Sequence, residues 1–125
     1  MNNLVISQTA STPEIHADGA LGVLRMRGDS YPENSFELFQ PVQEWLTQFL
    51  KQSRAPLRVD LQLLYLNTSS IRAIVEIFDQ LEAAHRAGRK VSVIWRYDAE
   101  NERVAELAQE FREDCSFNFE VVPNE

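Results

Sequence analysis

Residues Leu57–Ile71 read LRVDLQLLYLNTSSI and contain the clearest strand-to-helix transition in the chain. Leu57, Val59, Leu61, Leu63 and Tyr65 alternate with mostly polar positions, which predicts a strand over residues 57–66 with one buried face. An apolar stripe at helical spacing follows, and glycine 88 lies where a helix C-cap is expected. The stripe consists of Ile71, Ile74, Val75, Phe78 and Leu81. This unit predicts a strand packed beneath the helix that follows it.

Four small polar residues, Asn67, Thr68, Ser69 and Ser70, separate this strand from its helix. Such side chains commonly cap helices because they accept hydrogen bonds from the free amides of the first turn. We expect Asn67 or Thr68 to be the cap. A phosphate at the same place would meet unpaired amides and the positive end of the helix dipole. A structural cap and a phosphate site on one of the three hydroxyls are therefore both open interpretations.

The chain has 125 residues, which predicts one domain over residues 1–125 with a single core. Its single cysteine, Cys115, excludes an internal disulfide and is typical of a reducing cytoplasm, where we expect the protein to act. We expect Cys115 to be a small buried residue, since nearby acids disfavour its thiolate. No apolar run reaches the roughly 20 residues of a membrane span, and no signal pattern is present, so membrane insertion is not expected.

The net charge of −7 comes entirely from the C-terminal part of the chain. From Asp98 to Glu125 nine acidic residues accompany two arginines, so residues 1–97 are neutral overall. Nucleic acid is not an expected partner, because no basic surface would neutralise its phosphates. Glu102, Glu106 and Glu110 repeat at i,i+4 in a predicted helix. This row is either a solvated face or a ridge that docks a partner bearing Arg or Lys.

Before residue 57 the patterns predict three strands and one helix. The strands are Leu4–Ile6 at an edge, Pro13–Asp18, and Leu21–Arg27, which Gly28-Asp29 should end. Asn34 should cap the helix, and Pro41 should kink it or begin a second segment. The apolar face predicted for this helix consists of Phe36, Phe39, Val42, Trp45, Leu46, Phe49 and Leu50.

After the central unit, the patterns predict a strand over Val91–Tyr97, a helix capped by Asp98, and a last strand stopped by Pro123. The helix should turn Val104, Leu107, Ala108 and Phe111 inward, and the last strand should bury Phe117, Phe119 and Val121. The order β-β-β-α-β-α-β-α-β predicts a sheet that is largely parallel in its later part.

The strands alternate, whereas parallel strands that are covered on both faces are continuously apolar. We therefore predict a two-layer α/β domain, with helices mainly on one face of a mixed sheet and charged residues on the other. That charged face either pairs across strands in water or contacts a partner. Its expected members are Arg25, Arg27, Arg58, Asp60, Gln62, Ser92, Arg96, Asn118 and Glu120.

The motifs of common enzymes and metal sites are missing. None of the four glycines forms a phosphate loop, and no nucleophile elbow is present. His16, His85 and Cys115 are too few and too dispersed for a zinc site. We expect no catalytic residue, metal or cofactor. A small enzyme that uses Asp60, His85 or Cys115 is the remaining catalytic alternative, and it requires those groups to converge in a pocket.

Three motifs together resemble the SiaC-type regulatory phosphoproteins of biofilm signalling. They are GDSYPEN at residues 28–34, LLYLNTSS at 63–70, and YD…NERVAEL with FREDCSF over 97–117. The resemblance extends over essentially the whole chain. It implies a fold similar to STAS domains, the anti-sigma-factor antagonists, with about five to six strands.

The resemblance also implies a function without catalysis. A dedicated Ser/Thr kinase phosphorylates the threonine of the Asn-Thr-Ser-Ser motif, here Thr68, and a PP2C-like phosphatase removes the phosphate. The unphosphorylated form binds a diguanylate cyclase and stimulates cyclic di-GMP synthesis, which promotes aggregation and biofilm formation. Ser69 and Ser70 are alternative modification sites. An ordinary anti-sigma-factor antagonist that binds an anti-sigma kinase is the second functional hypothesis.

Candidate partner-binding residues are taken from these motifs and from the acidic helix. They are Tyr31, Pro32, Glu33, Asn34, Tyr65, Asn67, Ser69, Ser70, Arg72, Glu102 and Glu106.

Overall fold

The structure is a computed structural model that describes residues 3–124. Its elements follow the predicted order. They are β1 (Leu4–Ile6), β2 (Glu14–Asp18), β3 (Val23–Ser30), α1 (Ser35–Gln52), β4 (Leu57–Leu66), α2 (Thr68–Arg86), β5 (Val91–Asp98), α3 (Glu102–Glu113) and β6 (Asn118–Asn124).

The six strands form one sheet in the order β1-β2-β3-β4-β5-β6. Strand β1 is at an edge and pairs antiparallel with β2, which pairs antiparallel with β3. From β3 onward every pairing is parallel, and α1, α2 and α3 are the crossovers between successive strands. The predicted mixed sheet of an α/β domain is confirmed. Parallel strands all end at the same edge, so the β3–α1 and β4–α2 junctions are neighbours.

The core lies between the sheet and the three helices. Strand β4 buries every second residue from Leu57 to Leu63, and β5 does so from Val91 to Trp95. Leu61 and Trp95 are 0% exposed. The opposite face of the sheet is polar, as predicted. There Asp60 lies 3.8 Å from Arg58 and 3.5 Å from Arg96, so part of that face consists of cross-strand and same-strand ion pairs. Surface pairs of this kind contribute little stability, about 0–1 kcal/mol each.

Helix α1 runs through Pro41 without interruption. The expectation of a second segment is therefore wrong. Proline removes one intrahelical hydrogen bond, and the burial of Phe39, Val42 and Leu46 on both sides of it holds the helix together. Phe36, which we expected inside, is 73% exposed because the first turn buries its neighbour Ser35 instead. The predicted cap is confirmed, since the Asn34 side chain accepts from the Glu37 amide at 3.1 Å.

Strand β3 does not stop at Gly28-Asp29 as predicted but continues to Ser30. Gly28 of β3 pairs with Leu63 of β4, and Ser30 pairs with Leu66. An advance of two residues along β3 therefore corresponds to an advance of three residues along β4. This is a β-bulge with the extra residue in β4. It shifts the alternation of β4 by one position. Tyr65, expected on the buried face, is consequently 54% exposed and Leu66 is buried.

The inner stripe of α2 also differs from the prediction at one position. Val75 is 39% exposed, and Ile77 is fully buried in its place. A helix repeats every 3.6 residues, so the buried positions shift gradually around its surface, and the buried face includes Ile77 and not Val75. Cys115, which we expected to be buried, is only partly buried. The predicted C-terminal end is confirmed: α2 ends at Arg86, and Gly88 follows with a φ of 102°.

Two boundaries near the C-terminus were also predicted incorrectly. Asp98 is the last residue of β5, and the cap of α3 is Asn101, whose side chain accepts from the Val104 amide at 3.2 Å. Asp98 instead accepts from the Glu100 amide in the connecting turn. Pro123 does not end β6 but lies within it. An edge strand tolerates proline because only one of its sides is hydrogen-bonded.

Among residues 3–124, no helix is both long and apolar enough to cross a lipid bilayer.

Candidate functional site

The junction between β4 and α2 is built around Asn67. Its side-chain oxygen accepts from the Ser70 amide at 2.9 Å, and its side-chain nitrogen donates to the Pro32 carbonyl at 3.1 Å. Its own amide donates to the Ser30 carbonyl at 3.0 Å. Asn67 is therefore the cap, and Thr68 is the first residue of the helix. The cap also ties this junction to the neighbouring β3–α1 loop.

A small network of serine hydroxyls lies beneath the cap. The Ser70 oxygen is 2.8 Å from that of Ser30 and 3.2 Å from that of Ser35, and all three residues are buried. The Ser69 hydroxyl lies 2.7 Å from Ser35 and also donates to Asn67. Both Ser69 and Ser70 therefore already use their hydroxyls in internal hydrogen bonds.

The Thr68 hydroxyl differs from its neighbours. The side chain is exposed, and no residue between 3 and 124 forms a hydrogen bond with its hydroxyl. Of the three adjacent hydroxyls, Ser70 is 0% exposed and Ser69 is already paired. Ser69 is exposed as well, so Thr68 is the one residue of the three whose hydroxyl is both exposed and unpaired, and the fold would lose no hydrogen bond on its modification.

The first turn of α2 can also receive negative charge. A helix N-terminus leaves several amides without intrahelical partners. Here the Asn67 amide donates to Ser30 and the Ser70 amide to the Asn67 side chain, so the amides of Thr68 and Ser69 are left for an outside acceptor. The first turn contains no acidic residue. The positive end of the helix dipole is thus uncompensated by a local carboxylate.

Exposed aromatic residues surround the junction. The rings of Tyr31 and Tyr65 meet edge to face with centroids 5.8 Å apart, and they are 45% and 54% exposed. Phe36, at the start of α1, is still more exposed. We call Tyr31, Phe36 and Tyr65 the aromatic rim. Large exposed aromatic groups next to a polar site are typical of surfaces that bind other proteins.

A cleft of about 300 Å³ joins the aromatic rim to helix α3. Tyr65 and Leu64 line it on one side, and Glu106 and Arg103 line it on the other. The Asn101 side chain donates to the Leu64 carbonyl at 3.0 Å, which fixes the start of α3 against the end of β4. The structure therefore brings Glu106 to the same surface as Tyr65.

The sequence-predicted residues thus fall into two groups. Contacts around the junction bring together Tyr31, Pro32, Tyr65, Asn67, Ser69 and Ser70. Asn34 serves as the cap of α1, while Glu33, Arg72 and Glu102 are exposed without a hydrogen bond or ion pair that would link them to this group within residues 3–124. Ser30, Ser35 and Phe36 were missed as members of the site. No local pattern marks them, because they reach it through the fold.

The residues of the alternative enzyme hypothesis do not converge. Asp60 lies on the open face of the sheet in ion pairs with arginines. His85 lies on the helical side, with its ring 6.3 Å from that of Phe117. Within residues 3–124 no group of three or more His, Cys, Asp or Glu side chains could hold a metal ion.

Cys115 also lacks the properties of a reactive thiol. Burial raises the pKa of the Cys115 thiol to about 11, and the carboxylates of Glu82, Asp114 and Asp79 add to the rise. The nucleophilic form is the thiolate, which a raised pKa makes scarcer at neutral pH. This environment disfavours a catalytic role for Cys115.

The hydrogen bonds of Asn67 lead to a first prediction. Asn67→Ala should lower the free energy of unfolding by about 1–2 kcal/mol, because it removes the cap and leaves the Pro32 carbonyl without its donor. Urea denaturation of the intact protein measures this. Thr68→Ala is the matched control and should change stability by less than about 0.5 kcal/mol, since it removes no hydrogen bond. Equal losses for the two variants would show that the cap is misassigned.

Comparisons with known proteins agree with this architecture. The model of the SiaC family regulatory phosphoproteins matches residues 6–124. An uncharacterised protein of Pseudomonas aeruginosa strain UCBPP-PA14 is 59% identical over 121 residues, covering 97% of this chain and 96% of the relative.

Two solved structures extend the similarity to three dimensions. Apo-SiaC from Pseudomonas aeruginosa is 56% identical with a TM-score of 0.94, over 98% of this chain and 99% of that one. The crystal structure of the diguanylate cyclase SiaD in complex with its activator SiaC, from the same organism, contains a chain that is 58% identical with a TM-score of 0.94. That match covers 97% of this chain and 99% of the other. From the family match and these relatives, we conclude that the chain belongs to the SiaC family of regulatory phosphoproteins.

Proposed function

We propose that this protein is a phosphorylation-controlled switch that, when unphosphorylated, binds and activates a diguanylate cyclase and so promotes cyclic di-GMP synthesis and biofilm formation. One observation carries the proposal: an exposed, unpaired threonine hydroxyl at a helix N-terminus lies beside an aromatic rim. The similarity to an activator that forms a complex with its cyclase supports the choice of partner. The protein acts through binding, as one domain over residues 1–125 in the cytoplasm, and needs no cofactor.

Thr68 is the proposed phosphorylation site. Its hydroxyl is accessible, whereas phosphorylation of Ser70 would require the junction to open and break the contacts with Ser30 and Ser35. Phosphorylation of Ser69 would break its hydrogen bond with Ser35. A Ser/Thr kinase can therefore modify Thr68 without breaking an internal hydrogen bond. A PP2C-like phosphatase can reach the resulting phosphate from solvent in the same way.

The phosphate would change binding more than it changes the fold. It adds about 1.5 to 2 negative charges and three acceptor oxygens. The free amides of Thr68 and Ser69 can donate hydrogen bonds to these oxygens, so the modified domain remains folded. A cyclase packed against the aromatic rim would have to accommodate the added bulk and bury the charge. Burial of an unpaired charge at an interface is costly, so the complex dissociates.

The cleft beside Tyr65 provides a second contact for the cyclase. Glu106 presents a carboxylate there, and Glu102 and Glu110 extend the same acidic row along α3. We infer that an Arg or Lys of the partner binds this row, because charge complementarity directs association and register.

Reversal of the charge at Glu106 tests this contact. Glu106→Lys should weaken cyclase binding about tenfold, because a favourable pair becomes a repulsive one. The melting temperature should stay within about 2 °C of the wild type, since the side chain is exposed. Calorimetric titration with the cyclase measures the affinity. Glu120→Lys, on the open face of the sheet, carries the same charge change and is the control. Unchanged affinity in Glu106→Lys would exclude the acidic row from the interface.

Affinity purification from cells tests the function as a whole. Wild-type protein and Thr68→Val should both recover a diguanylate cyclase, and the wild type should also recover a Ser/Thr kinase. Recovery of an anti-sigma kinase with its sigma factor, and no cyclase, would contradict the proposal and favour an anti-sigma-factor antagonist.

A further inference from the structure

A second concave surface lies at the opposite end of the molecule from Thr68. It is an open cavity of about 800 Å³ between the C-terminal ends of α1 and α2 and the start of β4. Strand β4 has 10 residues and separates the two ends by about 30 Å, at roughly 3.3 Å per residue. The proposed switch does not use this cavity, and the inference below does not rest on the proposed function.

The cavity is basic although the protein is acidic. Its lining includes Lys51, Arg54, Arg89 and Lys90 and contains no aspartate or glutamate. The whole chain has a net charge of −7 with only 12 lysines and arginines, so a third of its basic side chains line this one depression. Within residues 3–124, Lys51, Arg54 and Lys90 form no ion pair. Their charges are therefore available to a ligand.

Arg89 gives the cavity a fixed cation. Its guanidinium donates to the carbonyls of Leu50, Ser53 and Ala55 at 2.9, 2.5 and 3.0 Å, and it lies 5.7 Å from the centre of the Phe49 ring. These bonds satisfy carbonyls at and beyond the end of α1. A guanidinium has five N–H donors, so two of those of Arg89 remain without a partner in the described part of the chain. The side chain is thus held in place before a ligand arrives, which lowers the entropic cost of binding.

The apolar part of the lining consists mostly of small side chains, with Leu50 as the largest. Ala83 and Ala84 belong to the last turns of α2, Ala87 is its C-cap, and Pro56 precedes β4. Gly88 leaves further room, since no heavy atom beyond its two neighbours in the chain lies within 4 Å of the position that a Cβ would occupy. Cationic side chains beside an apolar wall of mostly small residues suit a ligand with one anionic end and one flat, weakly polar end.

We propose that this cavity binds a small organic phosphate of nucleotide size. The phosphates would contact Lys51, Arg54, Lys90 and the free donors of Arg89, and the ring system would lie against the alanines of α2. Small-molecule sites typically measure about 300–1,000 Å³, and the cavity falls within that range. An acidic protein segment is the other occupant with suitable charge. The concave shape and the fixed guanidinium favour the small ligand.

Titration of the intact protein with ADP tests the proposal. ADP should bind at about 0.15 M salt, where purely diffuse attraction is strongly screened. The backbone amide signals of residues 83–90 should shift in nuclear magnetic resonance spectra, while those of residues 67–71 stay unchanged. Inorganic pyrophosphate should bind at least about tenfold more weakly, because it leaves the apolar wall uncovered.

Two double variants with the same change in net charge identify the site. Arg54→Gln with Lys90→Gln should weaken ADP binding about tenfold or more, because two charge-assisted contacts are lost. Arg25→Gln with Arg27→Gln, on the open face of the sheet, should change it by less than about twofold. No ADP binding, equal losses in both variants, or equal affinity for ADP and pyrophosphate would overturn the proposal. Tighter binding of an oligoglutamate peptide than of ADP at the same residues would also overturn it, in favour of a protein-binding surface.

Discussion

Thr68→Glu should lose activation of the diguanylate cyclase by about 100-fold or more, whereas Thr68→Val should activate it like the unphosphorylated wild type. A carboxylate at the first position of α2 is favourable for the free protein, because it faces the helix dipole and the unpaired amides of Thr68 and Ser69. In the complex the same charge would be buried without a partner, which costs about 3 kcal/mol or more and corresponds to that loss of affinity. Cyclic di-GMP production by the purified cyclase, titrated with each variant, measures the effect.

Two control variants separate charge from size at this position. Thr68→Gln has the bulk of glutamate without its charge and should keep most of the activation that Thr68→Glu loses. Thr68→Val keeps the shape of threonine without its hydroxyl, so it reports on the loss of phosphorylation alone. Similar activation by Thr68→Glu and Thr68→Val would contradict the role assigned to charge at this junction.

Phe78→Ala should lower the free energy of unfolding by about 3–5 kcal/mol, the range observed when a buried phenylalanine is removed. Phe78 is 4% exposed and joins three elements of the core. Its ring centroid lies 5.3 Å from that of Phe111 in α3 and 5.4 Å from that of Phe119 in β6. A domain of this size is stable by about 5–15 kcal/mol, so the variant would retain only part of its stability.

Urea denaturation followed by tryptophan fluorescence measures the Phe78 effect. Phe36→Ala is the matched control, because the same side chain is removed from a position that is 73% exposed. It should change the free energy of unfolding by less than about 0.5 kcal/mol. Similar losses of unfolding free energy in both variants would contradict the conclusion that Phe78 packs α2 against α3 and β6.

The sequence predicts most of the fold because its strands are solvated on one face. The alternation from Leu57 to Leu63 determines which side of β4 is buried, and Gly88 marks the end of α2. The error at Tyr65 occurs because a non-local contact overrides a local pattern. Tyr65 is exposed because β4 contains an additional residue relative to β3, and this bulge depends on a pairing between segments that are over 30 residues apart. Asp98 and Asn101 are both good caps, but Asp98 ends β5 and accepts from the Glu100 amide in the turn, so Asn101 caps α3.

The candidate site was predictable in position but not in detail. The polar cluster at residues 67–70 marks the junction, and the family resemblance selects Thr68 from it. The difference among the three hydroxyls depends on Ser30 and Ser35, which lie 40 and 35 residues from Ser70 and carry no local signal. These serines engage Ser69 and Ser70 and leave Thr68 free. The fold thus provides a physical reason for the selection of Thr68 that is independent of the resemblance.

Mass-spectrometric mapping of phosphate in two pools of the protein tests the central claim most directly. Protein isolated from cells is separated into a fraction that co-purifies with the cyclase and a free fraction, and the occupancy of Thr68, Ser69 and Ser70 is measured in each. We predict phosphate on Thr68 in the free fraction and almost none in the cyclase-bound fraction. Equal occupancy of Thr68 in both fractions, or phosphate confined to Ser69 or Ser70, would contradict the proposed switch.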